Sequence, residues 1–470
     1  METILTNIVA LVNDVLWNKY LVLLFLLLGS GVFFTIRTNF VQIRKFSEGM
    51  RLVFGNITLK GKAAGKGKAA GKEGMSSFQA LATAIAAQVG TGNIAGCASA
   101  LVAGGPGAVF WMWLSAFFGM ATIYGEAVLA QKFKTVGEDG AVSGGPIYYI
   151  KAAFKGKLGS FMAAFFAVAI ILALGFMGNM VQSNSIGDAF YTAFGMPKLV
   201  TGIIIAVVSG FIFLGGVKRI AALTEKLVPI MACFYILGSL VAIIMNAQNI
   251  LPAFQAIFVG AFSPKAVLGG VIGVTIKEAM RFGVARGLFS NEAGMGSTPH
   301  AHAMAKVAKP QDQGAVAMIG VFIDTFIVLT MTALVILTSG ALGTTGADGA
   351  MLTATGLAQA AFNHSFGSFG NAFVAICLLF FAFSTIIGWY FFGESNVKAL
   401  FKGNKKAITA YGVIALVFIV VGSFQKVGLV WDMSDMFNGL MVIPNLLAVL
   451  ALSGMVAKFA KDDNYLGKDE

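Results

Sequence analysis

Residues Ile85 to Gly96 read IAAQVGTGNIAG, in the middle of an apolar run from Ser76 to Ala103. A glycine inside a helix costs about 1 kcal/mol relative to alanine. Bare backbone at membrane depth persists only where it lines a cavity or is buried in protein. The stretch therefore reads as a spanning helix broken at its centre. The half that ends near Gly90 offers carbonyls, which suit sodium or an ammonium group. The half that begins near Asn93 offers N–H groups and a positive dipole end, which suit a carboxylate. One break thus complements a zwitterion and a cation together, with Gln88, Thr91, Gly92 and Asn93 as candidate substrate contacts. A glycine-rich helix crossing is the other reading, and it leaves those polar groups without a purpose. The GxGxxxG spacing has no βαβ unit around it, so a dinucleotide fingerprint is excluded.

Composition agrees with a membrane setting. Of 470 residues, 57% are hydrophobic and 11% charged, against roughly 25% charged in soluble domains. A soluble globule of this length has too few charges here to cover its surface. The three cysteines, Cys97, Cys233 and Cys377, lie in apolar stretches and read as small core residues, with no disulfide framework and no metal spacing. The N-terminus opens with Glu2 and Asp14 and its apolar run exceeds a signal h-region. It is expected to be kept as a spanning helix.

A spanning helix takes about 20 apolar residues, and eleven segments qualify. They are 17–36, 76–103, 106–131, 158–187, 197–215, 224–247, 267–306, 314–339, 367–397, 407–423 and 433–457. With the N-terminus outside, alternate loops place 26 Lys and Arg on the cytoplasmic side and four on the other. The positive-inside rule then puts the C-terminus in the cytoplasm. This topology accounts for the net charge of +12 without a nucleic-acid partner. The basic stretch Gly61 to Gly74 matches no phosphate loop and reads as a linker near anionic lipid.

Setting the first helix aside leaves ten, five and five, and each five opens with an interrupted segment. The second interruption is GLFSNEAGMGST, Gly287 to Thr298. Paired broken helices in inverted halves point to a transporter site. The predicted organisation is an N-terminal helix and basic loop (1–75), two inverted five-helix repeats (76–250 and 251–457) and a cytoplasmic tail (458–470). Phe289 is an aromatic wall candidate, and the two breaks are expected to face each other. Glu278 and Arg281 are expected to pair at i, i+3. Asp324, mid-way along its span, reads either as a proton relay or as the counter-charge of a basic partner. Asn179 and Gln182 share one helix face.

The run GGPGAVFWMWLSAFFG, Gly104 to Gly119, following that break, resembles the signature of the alanine/glycine:cation symporter family. VGTGN, Val89 to Asn93, is similar to the break of the sodium/neurotransmitter transporters, which share the leucine-transporter fold. The resemblance extends from the first span to Trp389 and beyond. It implies an all-α membrane protein of two inverted repeats plus one extra N-terminal helix. It also implies that Asn179 and Gln182 contribute to an amino-acid pocket, which Trp389 closes around a small side chain. The adjacent hydroxyls of Ser384 and Thr385, with Ala86, Val89 and Phe381, are the implied sodium site. Hydroxyls bonding back along their own helix remain the alternative for Ser384 and Thr385.

The functional expectation is secondary active transport: sodium-coupled uptake of alanine or glycine across the cell membrane. Sodium is the coupling ion, with no cofactor and no further metal. A proton-coupled symporter is the runner-up. A channel and an intramembrane aspartyl protease are the other classes, and the second needs two acids sharing a site. His300 and His302, at i, i+2, point to different helix faces and do not suggest a metal site.

Overall fold

The structure is a computed structural model that describes residues 2–55, 74–136, 142–263, 274–346, 349–425 and 427–466. The linker expected at 61–73 lies outside the described residues. Among those described, eight helices are long and apolar enough to cross a membrane, and a bent pair makes a ninth. The main helices are α1 (Glu2–Asn13), α2 (Val22–Arg37), α3 (Ser77–Gln88), α4 (Cys97–Gly104) and α5 (Gly107–Phe133). A long span, α6 (Gly156–Phe194), precedes α7 (Lys198–Phe213), α8 (Gly216–Met245) and α9 (Ile250–Phe262). The second half holds α10 (Ile276–Asn291), α11 (Pro299–Met304), α12 (Pro310–Ser339), α13 (Ala354–Phe366), α14 (Phe369–Leu400), α15 (Lys405–Phe424), α16 (Val427–Ala451) and α17 (Ser453–Lys461).

The expected break in the second span is present. Helices α3 and α4 meet at 46° across residues 89–91. Both interrupted helices start with the same device. Ser76 Oγ accepts from Gln79 N, and Gln79 Oε1 accepts from Ser76 N, each at 3.0 Å. Thr275 and Glu278 make the equivalent box at the start of α10. Such a box satisfies two of the four N–H groups a helix start leaves open. It also corrects the expected Glu278–Arg281 pair: Glu278 is committed to the cap, and Arg281 lies over the Phe282 ring and 3.9 Å from Asp435.

Among the described residues four wide π turns interrupt the spans, at Asp14–Asn18, Gly92–Gly96, Ile171–Gly178 and Phe322–Leu329. Such turns often mark functional sites. Here one carries Asn93, one immediately precedes Asn179 and one carries Asp324. Around them, α10 and α12 pack on α5, while α6 packs on α14 and α15. At one end of the bundle, Met75 N donates to Met304 O at 3.0 Å and Lys306 N to Met75 O at 2.9 Å. These bonds tie the start of the first broken helix to the end of the second.

Two segments that lie between the expected spans form helices of their own, α9 and α13. Cys97 and Cys377 are buried as expected, but Cys233 is exposed on α8. Asn184 donates to the carbonyls of Gly422 and Gln425, so it fastens α6 to the end of α15. Trp111 and Trp113 pack among Phe110, Phe254, Phe258 and Phe262, away from the breaks.

Candidate functional site

The site is built where the two breaks meet. Asn93 staples the first one: its Oδ1 accepts from Gly90 N at 2.9 Å, and its Nδ2 donates to Asp324 Oδ1 at 2.7 Å. Ser290, at the end of α10, donates to the same carboxylate at 2.9 Å. Gln88 Nε2 donates to Asn291 O at 2.7 Å, which joins the breaks directly. Gly92 lies against Phe289 and Ser290, where a Cβ would come within 3.1 Å of Phe289 Cδ1 and 3.2 Å of Ser290 Cα. Gly90 lies against Thr385 and Gln182 with no room for a Cβ. The break needs glycine at both positions because other side chains and backbone press on it.

Asp324 proves to have no basic partner in this cluster. Its carboxylate is held by the Asn93 amide and by the Ser290 and Thr325 hydroxyls. Of its two readings, the counter-charge one finds no basic partner among the described residues: the contacts are neutral donors on three segments, its own included.

Gln182 Oε1 accepts from Thr91 N at 3.0 Å, which puts the α6 amide at the break. Asn179 bonds to Gly175 O of its own helix, one turn earlier. Four buried polar atoms of the expected substrate set have no protein partner: Gln88 Oε1, Thr91 Oγ1, Asn179 Oδ1 and Gln182 Nε2. A buried polar group left unpaired costs about 1–3 kcal/mol, so four in one neighbourhood fit a site built to receive a polar molecule. Phe289 and Trp389 meet edge to face at 5.4 Å and an 89° interplanar angle. Gln88 is 2% exposed and Thr91, Asn93, Gln182 and Trp389 are 0% exposed, so the arrangement is occluded.

The implied ion-binding oxygens also converge. Thr385 Oγ1 lies 2.9 Å from Ala86 O, 3.4 Å from Val89 O and 3.0 Å from Phe381 O. Ser384 Oγ lies 3.2 Å from Ala86 O and 2.8 Å from Phe381 O. Three carbonyls and two hydroxyls form a neutral oxygen set of the kind hard cations take. Each hydroxyl lies within bonding distance both of Phe381 O on its own helix and of Ala86 O across the break.

Sequence reasoning missed several groups around the second break. Glu126 of α5 accepts from Gly294 N at 2.9 Å, Gly296 N at 3.0 Å and Asn445 Nδ2 at 2.6 Å. Arg286 and Asp435 form a two-pronged pair at 2.6 and 2.9 Å, under Trp431. An acid inside an apolar span was the available signal for Glu126. Asp435 lay in a segment read only as a span. His300 is committed to Ser297 O and Asn396, and His302 to Gln313. Among the described residues no metal cluster of His, Cys, Asp or Glu occurs.

Paired broken helices enclosing an occluded polar site define a membrane carrier of the leucine-transporter fold. MhsT, solved in complex with L-phenylalanine, shares that fold with a TM-score of 0.55 at 14% identity, covering 83% of this chain and 99% of that one. The sequence narrows the class. The profile of the sodium:alanine symporter family matches residues 1–469. The sodium/alanine symporter AgcS of Methanococcus maripaludis is 43% identical over 469 residues, 99% of this chain and 98% of its own. The probable sodium/glutamine symporter GlnT of Bacillus subtilis is 42% identical over 462 residues, 98% of this chain and 91% of its own. The chain belongs to the sodium:alanine symporter family, whose members are multi-pass membrane transporters and not enzymes.

Proposed function

We propose that this chain couples sodium entry to uptake of a small neutral amino acid, alanine or glycine, by alternating access. The observation that carries the reading is the juxtaposition at the first break. Five neutral oxygens from Ala86, Val89, Phe381, Ser384 and Thr385 gather at its carbonyl end, and unpaired polar atoms of Gln88, Thr91 and Gln182 surround its turn. A cation at the first group and a zwitterion at the second complement each other electrostatically. Filling the second satisfies groups that otherwise stand buried and unpaired. Ion and substrate therefore stabilise the same occluded arrangement, which is the coupling a symporter needs. In this reading Asn93 and Gly92 shape the turn, Asn179 and Gln182 offer amides, and Phe289 and Trp389 close the pocket. The chain resides in the cell membrane with its N-terminus outside.

One observation favours a proton-coupled reading, the Asp324 carboxylate bonded to Asn93 inside the site. Uptake of labelled alanine by proteoliposomes separates the two. An inward sodium gradient at equal pH should drive accumulation above equilibrium, and a pH gradient without sodium should not. Accumulation under the pH gradient alone would give the proton reading, and equilibration without accumulation would give a channel.

A further inference from the structure

The indole of Trp389 is fully buried between the second break and α6. Its face presses on Gly178, where a Cβ would fall well inside contact distance of the ring. Its edge meets Phe289 at 5.4 Å. Its one polar atom, Nε1, donates to Glu292 Oε1 at 2.5 Å. Glu292 is the residue at which α10 stops, and it holds a left-handed backbone with φ 59°. A non-glycine residue takes that conformation only where its surroundings over-determine it. The second carboxylate oxygen accepts from Ser297 Oγ. The acid is thus pinned from behind by the loop of the second break and grips the indole in front.

We propose that Glu292 sets the size limit of the substrate by holding the Trp389 indole against Gly178. It is a specificity-determining positioning residue. The proposal rests on the small neutral amino-acid reading. A tryptophan ring held only by apolar contacts turns about its side-chain torsions when a larger ligand pushes it. A ring also tied at Nε1 by a hydrogen bond to a carboxyl oxygen does not turn without breaking that bond in a water-free site. A pocket with a fixed wall discriminates against one surplus methylene by roughly tenfold or more. Releasing the wall removes that discrimination while leaving the groups that face the amino and carboxylate ends in place.

The test is sodium-driven uptake by the full chain in proteoliposomes, competed with alanine, 2-aminobutyrate, valine and leucine. In Glu292→Ala the leucine-to-alanine ratio of apparent affinities should rise by about tenfold. Glu292→Gln keeps an oxygen for the indole and should bring the ratio back. In a Trp389→Phe background no N–H remains to be held, so adding Glu292→Ala should leave the ratio where Trp389→Phe alone puts it. Should Glu292→Ala fail to fold, Ser297→Ala, which frees one carboxylate oxygen, should raise the ratio to a smaller extent. Alanine uptake by Glu292→Ala with an unchanged ratio overturns the proposal, as does an unchanged ratio in Ser297→Ala. An equal loss across the whole panel also overturns it, since that assigns Glu292 to the shared ammonium group. Wild-type protein that takes none of the four overturns the amino-acid reading, and the size-limit proposal falls with it.

Discussion

Asn93 and Asp324 stand 231 positions apart in the chain, and a 2.7 Å hydrogen bond joins Asn93 Nδ2 to Asp324 Oδ1. The same asparagine accepts from Gly90 N through Oδ1. A single side chain therefore closes the first break on itself and attaches it to the π turn of α12. Ser290 reaches the same carboxylate from the second break. Both broken helices thus reach Asp324 through a short polar contact.

That arrangement makes Asn93 and Gly92 sensitive positions. Asn93→Ala strips one donor from a buried carboxylate and one acceptor from Gly90 N–H, a loss of about 1–3 kcal/mol for each unpaired group. Substrate or sodium should bind at least about tenfold more weakly. Gly92→Leu drives a side chain into Phe289 and the Ser290 backbone and should abolish uptake in a protein that still elutes as a single species. Normal transport by both variants would reduce the break to a packing device.

Thr385→Val tests the oxygen cluster. The substitution keeps the shape and removes the hydroxyl that lies 2.9 Å from Ala86 O. If that oxygen is worth about 1.4 kcal/mol to a bound ion, half-maximal uptake should need roughly tenfold more sodium. Alanine affinity at saturating sodium should change much less, because the hydroxyl faces the ion in this reading. Ser384→Ala should behave alike. An unchanged sodium dependence in Thr385→Val removes this residue from the ion site.

The Arg286–Asp435 pair makes a stability prediction. Both side chains are buried, at 7% and 4% exposure, and their two-pronged contact joins α10 to α16. Arg286→Ala leaves the carboxylate buried, with Arg281 at 3.9 Å and a second acid, Asp432, as charged neighbours. The cost should be about 3–5 kcal/mol, read as a lower thermal midpoint in detergent. Arg286→Met combined with Asp435→Leu should recover part of it, since neither member of the pair is left buried without the other and Arg281 keeps Asp432 as an acidic neighbour. A double variant no better than the single would show that the pair's geometry, and not its charge balance, is needed.

Topology is open to direct labelling. In a background lacking Cys97, Cys233 and Cys377, a cysteine at Thr345 should react with an impermeant reagent added outside cells. One at Lys405 should react only after permeabilisation. Both sites are exposed in the structure. Outside labelling at Lys405 would invert the map drawn from the charge asymmetry.

The sequence alone determined that this chain spans a membrane and that two of its helices are broken. These features are local. Apolar run length, mid-span glycine and loop charge each act through the immediate neighbours of a residue, so they are readable in one dimension. The match of the Ala86, Val89 and Thr385 oxygens came through family resemblance, and packing of α3 on α14 realises it. Tertiary structure alone decided the fate of the buried charges. Glu278 was expected to pair with Arg281 on its own helix, but the helix start claimed the acid for a cap, because open N–H groups there lie nearer than the next turn. Asp324 was ambiguous in the sequence because its partners, Asn93 and Ser290, come from two other segments. The partners of Glu126 and Glu292 were unreadable for the same reason: the loop of the second break presents backbone amides and a hydroxyl, and α14 an indole, that no spacing rule brings together. A buried charge must find its donors wherever packing leaves them, and that choice is made in three dimensions.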